Sequence, residues 1–425
     1  SNATLTFSGG NFTIADGTGV DFSINGIFVR STTNTFNNNG AISFGVSGVY
    51  QHQINGGALP IATWNVSSTC IISGITTTAP SNINQIFGKV IWNCVNQTSS
   101  LVTGDDGRFN PKGLFTIQST GNSNIRLENA GNGATYNLEG GLSVLGGTLV
   151  VNFDDNGGSK EAIINVIGNL TVANSGIIIL ADGAANASVT GYMARINLTG
   201  DLLIDNTFTN YPLKSTATNN RGRIVLFGNI TQNYFSTSNT GSSNIDYEVP
   251  VGTTLSLQNN LFLYSSSTTV FDKITINGTL NLGANTITQS AGTHASFIVN
   301  TGGTLISSNS GGLGTAIALG GLRTFADGAN YIFNGNTITP FPTTTFGIPA
   351  IVQINATVTS NLASTLVISN ALNINSGGYF SLNGNNNIQL NTGSSITIAA
   401  NATFDNGGSS QIIVGGGTPT ITING

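Results

Sequence analysis

The chain has 425 residues, of which 7% are charged and 39% are hydrophobic, and its formal net charge at pH 7 is −5. Because disordered chains combine low hydrophobicity with high net charge, this composition argues against intrinsic disorder. The 12 Lys and Arg residues form no basic stripe, which argues against a nucleic-acid-binding surface.

The N-terminal segment differs from the rest of the chain. Ser1-Asn2-Ala3 is interpreted as the remnant of a purification tag. Residues 1–60 contain few regular repeats, so we expect an N-terminal cap that protects the first open strand edge. Residues 61–425 are expected to form the repetitive part, as a fragment of a larger protein. No apolar run approaches the roughly 18 residues of a membrane helix, so no membrane insertion is expected.

Cys70 and Cys94 are the two cysteines of the chain. Their separation in sequence is about one turn of a β-solenoid, and residues in neighbouring turns lie about 5 Å apart, within reach of a disulfide. Two interpretations stay open. The thiols form a bridge in an oxidising compartment, or they are two buried free thiols that behave as small apolar residues.

The densest ionic cluster lies between residues 104 and 112. Its candidate catalytic residues are Asp105, Asp106, Arg108 and Lys112. In a polysaccharide lyase, carboxylates hold Ca²⁺ and a basic side chain removes a proton. The alternative is a solvated turn with local ion pairs, since the spacing lacks the pattern of a calcium loop. A glycosidase would need two facing carboxylates, for which the candidate pairs are Asp182 with Asp154 and Asp201 with Asp205.

Strand-like runs recur between residues 140 and 306. One series begins at Gly140, Gly168, Gly200 and Gly228, so its members follow one another at nearly constant intervals. A second series begins at Gly252, Gly278 and Gly303, at slightly shorter intervals. A period in the twenties is typical of a solenoid.

Alternation within the runs indicates β-strands. In Ile274-Thr275-Ile276-Asn277, for example, Ile would point inward and Thr and Asn would form ladders on the outside. The best helix candidate, residues 160–167, is short and β-branched. Pro340, Pro342 and Pro349 cannot lie inside a ladder, so they predict a loop that leaves the solenoid. We therefore predict an all-β fold, a right-handed parallel β-helix (β-solenoid), with an antiparallel sandwich array as the alternative.

Two sets of residues resemble a known family. The Gly-Asn-Leu-Thr-Val run at 168–172 and the Asn-Thr-Gly-Gly-Thr-Leu element at 300–305 resemble bacterial secreted β-helix proteins of the pectin-lyase-like superfamily, and are similar to autotransporter passenger domains and surface adhesins. Segments 62–70 and 87–94 resemble parts of exported proteins of gliding-type bacteria. The resemblance implies a secreted or cell-surface β-helix, and it matches no catalytic position of the enzymatic members.

The low charge and the repeats favour an extracellular structural or adhesive segment. Its expected partners are glycans or cell-surface and matrix components, and it is expected to be a monomer without a cofactor. Exposed aromatic residues near turns would provide a carbohydrate-binding strip. The candidates for it are Tyr50, Trp64, Tyr211, Tyr234, Phe235 and Tyr264.

Two further functions are kept as alternatives. The first is a polysaccharide lyase or glycoside hydrolase with a groove formed by loops of residues 100–250, and Ca²⁺ as its candidate cofactor. The second is ice binding by threonine arrays, which has less support because Thr-x-Thr triplets do not recur at one period.

Overall fold

The fold is an all-β parallel solenoid of about 16 turns, as the computed structural model of the chain shows, and this confirms the predicted fold class. The structure describes residues 3–103, 107–129, 133–153, 160–182, 191–206, 211–216, 220–237, 242–290, 292–342, 346–360, 362, 365–382, 387–408, 410–415 and 418–424. The chain divides into two compact units. Unit 1 contains residues 1–224 and 240–245, and unit 2 contains residues 225–239 and 246–425.

Unit 1 is built on one long ladder of parallel strands. The main ladder of unit 1 contains Thr4–Phe7, Ile27–Arg30, Val49–His52, Thr69–Ile72, Lys89–Asn93, Phe115–Ser119, Leu142–Val144, Leu170–Asn174 and Leu202–Asn206. Strands on its other sides are Phe12–Ile14, Phe22–Ile24, Phe36–Asn38, Ile42–Phe44, Thr63–Trp64, Ile86–Phe87, Leu101–Val102, Asn110–Pro111, Asn124–Glu128, Thr135–Leu138, Thr148–Phe153, Ala162–Val166, Ile177–Asp182, Gly191–Leu198, Leu213–Lys214 and Ser242–Ser243. Two strands, Asn220–Leu226 and Ile245–Val249, contain the points where the chain passes between the units.

Unit 2 repeats this arrangement. The main ladder of unit 2 contains Thr231–Ser236, Thr254–Leu257, Thr279–Gly283, Thr304–Ser307, Asn330–Phe333, Ile351–Ile354, Ala371–Ile374, Ser395–Ile398 and Thr420–Ile423. Strands on its other sides are Leu261–Leu263, Lys273–Ile276, Ile287–Gln289, Ser296–Val299, Ile317–Ala318, Arg323–Phe325, Thr357–Thr359, Leu366–Ile368, Tyr379–Ser381, Ile388–Leu390, Thr403–Asp405 and Ile412–Val414. One short α-helix, Gly312–Ala316, occurs in the described part of the unit, and no helix there is long and apolar enough to cross a bilayer.

The repeats read from the sequence are turns of the solenoid. Leu142 pairs with Leu170, and Leu170 with Leu202, which reproduces the intervals predicted from Gly140, Gly168 and Gly200. In unit 2, Leu255 pairs with Leu280 and Leu280 with Leu305, as the second glycine series predicts. The segment 160–167 contains the strand Ala162–Val166, as its β-branched residues predict.

Residues 4–60 form solenoid turns, and the described part of this segment contains no separate cap. Thr4 pairs with Ile27 in parallel, and Ile27 pairs with Val49 in the same ladder. The repeat was hidden because phenylalanine replaces leucine and isoleucine in the core here. The rings of Phe7, Phe12, Phe28 and Phe36 pack with centroids 5.7 to 6.3 Å apart.

The proline-rich segment is also part of the solenoid. Asn330 pairs directly with Ile351, so the prolines lie in the connection of a single short turn. Phe341 is buried, and its ring packs 5.5 Å from that of Phe333. The prolines lie outside the ladder, as predicted, but the described part of their segment packs on the solenoid and does not leave it. Proline is excluded from the ladder itself, but it is compatible with a connection packed on the core.

Stacked side chains hold successive turns together. Inward columns such as Leu142–Leu170–Leu202 are buried, and each buried leucine contributes about 1.5–3 kcal/mol relative to an exposed one. Asparagine ladders run alongside, as predicted. Asn165 donates to Asn137 and Asn197 donates to Asn165, both at 2.8 Å. The polar side chains thus satisfy one another from turn to turn.

Candidate ligand-binding face

The predicted catalytic cluster is only partly described. Asp105 and Asp106 lie outside the described residues, and Arg108 is exposed. Lys112 forms an ion pair with Glu139, and both side chains are more than a third exposed. The Lys112 amine is therefore held by a neighbouring carboxylate, and the catalytic role of the cluster stays a prediction.

Two carboxylate pairs were proposed for a glycosidase. Asp154, the partner of Asp182 in the first pair, lies outside the described residues, and the second pair is badly spaced. Asp201 directly precedes the strand Leu202–Asn206, and Asp205 lies near its end. Residues four apart in an extended strand are separated by about 13 Å. Glycosidase carboxyl groups lie roughly 5–9.5 Å apart, so this pair does not fit that chemistry.

The two cysteines do not face each other. Cys70 pairs with Val90, because the turn that begins at Cys70 is shorter than the separation of the two cysteines. Cys94 lies four positions further along than Val90, which is about 13 Å in an extended strand and beyond the roughly 7 Å that a disulfide tolerates. Both thiols are free and buried, and burial raises the pKa of Cys94 to about 12. The register therefore supports the free-thiol interpretation over the bridge.

An ionic strut crosses three turns of unit 1 and was missed from the sequence. Arg223 Nε lies 2.8 Å from Glu161 Oε1, and Arg223 Nη2 lies 3.2 Å from Glu161 Oε2. The guanidinium group of Arg223 also lies 4.6 Å from the centre of the Tyr192 ring, in the turn between Glu161 and Arg223. Arg195 Nε lies 3.7 Å from Glu161 Oε2. Because Glu161 and Arg223 are far apart in sequence, only the stacking register could have brought them together.

A buried histidine network occupies the early turns of unit 1. The Tyr50 hydroxyl lies 3.0 Å from His52 Nδ1, and His52 Nε2 lies 2.7 Å from the carbonyl oxygen of Gly56. A carbonyl can only accept, so Nε2 carries the proton and Nδ1 accepts from Tyr50. Burial lowers the pKa of His52 to about 4, which keeps the ring neutral near pH 7. These groups hold the turn together and offer no open site.

The six aromatic residues predicted to form a carbohydrate-binding strip differ in their exposure. Tyr50, Trp64 and Tyr234 are buried, so they contribute to the core. Tyr211 and Tyr264 are half-buried, and Phe235 is exposed on the outward side of the strand Thr231–Ser236. Alternation along this strand places Tyr234 inside and Phe235 outside, a distinction that depends on a single residue of register.

A threonine column runs along the outside of the main ladder in unit 2. Thr231 pairs with Thr254, Thr254 with Thr279, and Thr279 with Thr304. Neighbouring strands lie about 4.8 Å apart, so the four hydroxyl groups span about 14 Å. Among the described residues, the hydroxyl groups of Thr231, Thr254 and Thr279 have no hydrogen-bond partner within the protein.

A second polar column lies beside the first. Asn233 pairs with Ser256, and Ser256 with Asn281, each two positions beyond a threonine and therefore on the same face. Gln258 donates to Asn233 Oδ1 at 2.8 Å and to Ser256 Oγ at 3.3 Å. We call the surface formed by Thr231, Thr254, Thr279, Thr304, Asn233, Ser256 and Asn281 the hydroxyl face.

The hydroxyl face is electrically neutral. The sequence contains no Asp, Glu, Lys, Arg or His in residues 225–239, 249–271 or 274–293. The face therefore presents hydrogen-bond donors and acceptors on segments that contain no charged side chain. In the described part of the chain, no three His, Cys, Asp or Glu side chains come close enough to hold a metal ion, and the predicted role of Ca²⁺ stays untested.

Comparison with protein-family models, with curated proteins and with solved structures finds no match. The geometry of the chain itself is therefore the basis for a functional argument.

Proposed function

We propose that this chain is an extracellular structural or adhesive segment of a bacterial cell-surface or secreted protein, related to the pectin-lyase-like β-helices, and that it binds glycans. The observation that supports this proposal most directly is the hydroxyl face, on which threonines recur over four successive turns. Among the described residues, the hydroxyl groups of three of them have no hydrogen-bond partner within the protein. A surface that needs partners at regular intervals suits a ligand that is itself regular.

A polysaccharide has this property. Its hydroxyl groups repeat along the chain, and each can both donate and accept a hydrogen bond. A rigid sheet holds the protein hydroxyl groups in place before binding, which lowers the entropy cost of forming several bonds at once. Hydrogen bonding without ion pairs also fits the low charge of the segment.

The test is binding of the purified chain to a panel of polysaccharides. Thr254→Val and Thr279→Val replace a hydroxyl group by a methyl group of similar size on the hydroxyl face. We expect the double variant to bind roughly 10-fold more weakly, since each lost hydrogen bond contributes about 0.5–1.5 kcal/mol. Glycan arrays and sedimentation with insoluble polymers measure the change.

The matched control is Thr275→Val. Thr275 lies in the strand Lys273–Ile276, on a different side of the same unit, and it is half-buried like Thr254 and Thr279. The control should bind like the wild type. A wild-type chain that binds no glycan in the panel, or that cleaves one, would contradict the proposed function.

A further inference from the structure

Two exposed phenylalanines flank the hydroxyl face within a single turn. Phe227 is 59% exposed in the corner that leads into the strand Thr231–Ser236. Phe235 is 36% exposed on the outward side near the end of that strand. Thr231 and Asn233 lie between them in sequence and point to the same outward side as Phe235. One turn therefore presents aromatic, hydroxyl, amide and aromatic groups in order.

Aliphatic residues enlarge the apolar corner around Phe227. Ile230 is 48% exposed, and Val251, in the corresponding corner of the next turn, is 76% exposed. The two corners adjoin, because Thr254 N donates to the Ile230 carbonyl oxygen at 3.0 Å. Single exposed apolar residues are ordinary, whereas several in adjoining corners form an apolar patch, here next to the hydroxyl groups of Thr231 and Thr254.

The backbone of this corner is built to turn sharply. Gly228 has φ of 117° and Asn229 has φ of 52°, both in the left-handed region that glycine and asparagine adopt most readily. This conformation lets the chain change direction between Phe227 and the ladder strand that begins at Thr231. The phenylalanine therefore lies in the corner that leads into the hydroxyl face.

From this arrangement we infer that the hydroxyl face, with Phe227 and Phe235, is a binding site for a neutral polysaccharide chain. Sugar rings have apolar faces made of C–H groups and polar edges made of hydroxyl groups. The apolar faces would pack on the two phenylalanine rings, while the edges bond to Thr231, Thr254 and Asn233. An acidic polymer is disfavoured, because residues 225–239 and 249–271 supply no cation to pair with its carboxylates. The inference rests on the proposed glycan binding and names its ligand class.

The experiment compares the full chain with Phe227→Ala and Phe235→Ala. Binding is measured by depletion onto cellulose and chitin, which are neutral, and onto pectate and alginate gels, which are acidic. We expect the wild type to bind a neutral polymer, and each variant to bind it about tenfold more weakly, the effect of losing one aromatic anchor. Circular dichroism checks that both variants fold, as expected for exposed positions.

Leu322→Ala is the matched control, because Leu322 is 61% exposed in the same unit but lies outside the hydroxyl face. It should bind like the wild type. Equal losses in the control and the phenylalanine variants, or binding confined to the acidic gels, would overturn the inference. If the threonine variants lose binding while Phe227→Ala and Phe235→Ala retain it, the inference fails and the proposed function stands. A wild type that binds none of the polymers overturns both.

Discussion

Because His52 is buried in its neutral form, its protonation makes the free energy of unfolding depend on pH. Its ring is fully buried, donates through Nε2 to Gly56 and accepts from Tyr50. Arg30 is buried nearby and donates to the Ala58 carbonyl oxygen at 2.7 Å. A second positive charge beside Arg30 would be unfavourable, and burial alone already opposes protonation. The native state therefore holds His52 neutral.

We predict that unit 1 loses stability as the pH falls from about 6.5 towards 4. The pKa of His52 is about 4 in the folded chain and 6.5 when unfolded, so the unfolded state binds the extra proton in this window. The stabilisation is complete above about pH 6.5. The loss between about pH 7.5 and pH 5.5 should be about 1.4 kcal/mol, measured by urea unfolding.

The comparison for this prediction is His52→Gln, measured at the same two pH values. The amide does not titrate, so the variant should lack this part of the pH dependence although it is less stable overall. His294→Gln, in unit 2, should leave the pH dependence of unit 1 intact. A variant at position 52 with the same pH dependence as the wild type would disprove the assignment.

At the scale of elements, the strut formed by Glu161, Tyr192 and Arg223 ties together three turns. The side chains of Glu161 and Arg223 are 20% and 23% exposed, so water screens their attraction only in part. The pair is bidentate, which fixes the guanidinium group over Tyr192. The Lys112–Glu139 pair is more exposed and joins only adjacent turns.

We predict that Arg223→Ala destabilises unit 1 by roughly 1–2 kcal/mol, since it leaves a half-buried carboxylate without its best partner. Lys112→Ala should cost at most about 1 kcal/mol, as is usual for exposed pairs. Urea unfolding of each variant, and of Arg223→Ala combined with Glu161→Gln, measures the coupling. Equal costs for the two alanine variants would show that the strut adds nothing to ordinary surface pairing.

Much of the fold could be predicted from the sequence, because the period of the solenoid appears as the spacing between short recurring motifs. Glycine before a Leu-x-Val or Leu-x-Leu run marked the corners, and the spacing between Gly140, Gly168 and Gly200 matched the observed register. The early turns were not recognised, because phenylalanines fill the core there and the shorter spacing broke the pattern. The short turn that begins at Cys70 sets a register that the separation of the two cysteines in sequence did not reveal.

The candidate face was less predictable. Threonine columns depend on which residues of successive turns are opposite each other, and the sequence alone does not give the register in which Thr231 pairs with Thr254. The ice-binding hypothesis had less support because Thr-x-Thr triplets do not recur at one period, and the observed face alternates Thr with Asn or Ser. Phe235 is exposed, as predicted, whereas Phe227 was not singled out, because an exposed corner phenylalanine resembles a core residue in sequence.

For the whole molecule, local stacking predicts tolerance to the loss of a complete turn. Residues 254–278 form one turn of unit 2, since Thr254 pairs with Thr279. Their deletion would place Thr279 opposite Thr231 and restore the inward leucines. We predict that this variant folds, because each turn contacts mainly its neighbours. Thermal unfolding followed by circular dichroism is the measurement.

The control for this prediction is deletion of residues 254–265, about half a turn. This deletion removes one strand of the main ladder but leaves its connection incomplete, so the leucine columns no longer align. It should yield an aggregated or unfolded chain. If both deletions behave alike, the turn is not the unit of stability.

Turn length varies widely along the chain, from the short turn between Val49 and Thr69 to the much longer one between Leu170 and Leu202, while the paired strands keep their alignment. Insertions and deletions are therefore absorbed in the connections. A lineage of such chains can change size in small genetic steps and still present the same rows of side chains. Adding turns then changes the length of the solenoid, and replacing outward residues changes its ligand specificity. Selection can act on the two properties separately.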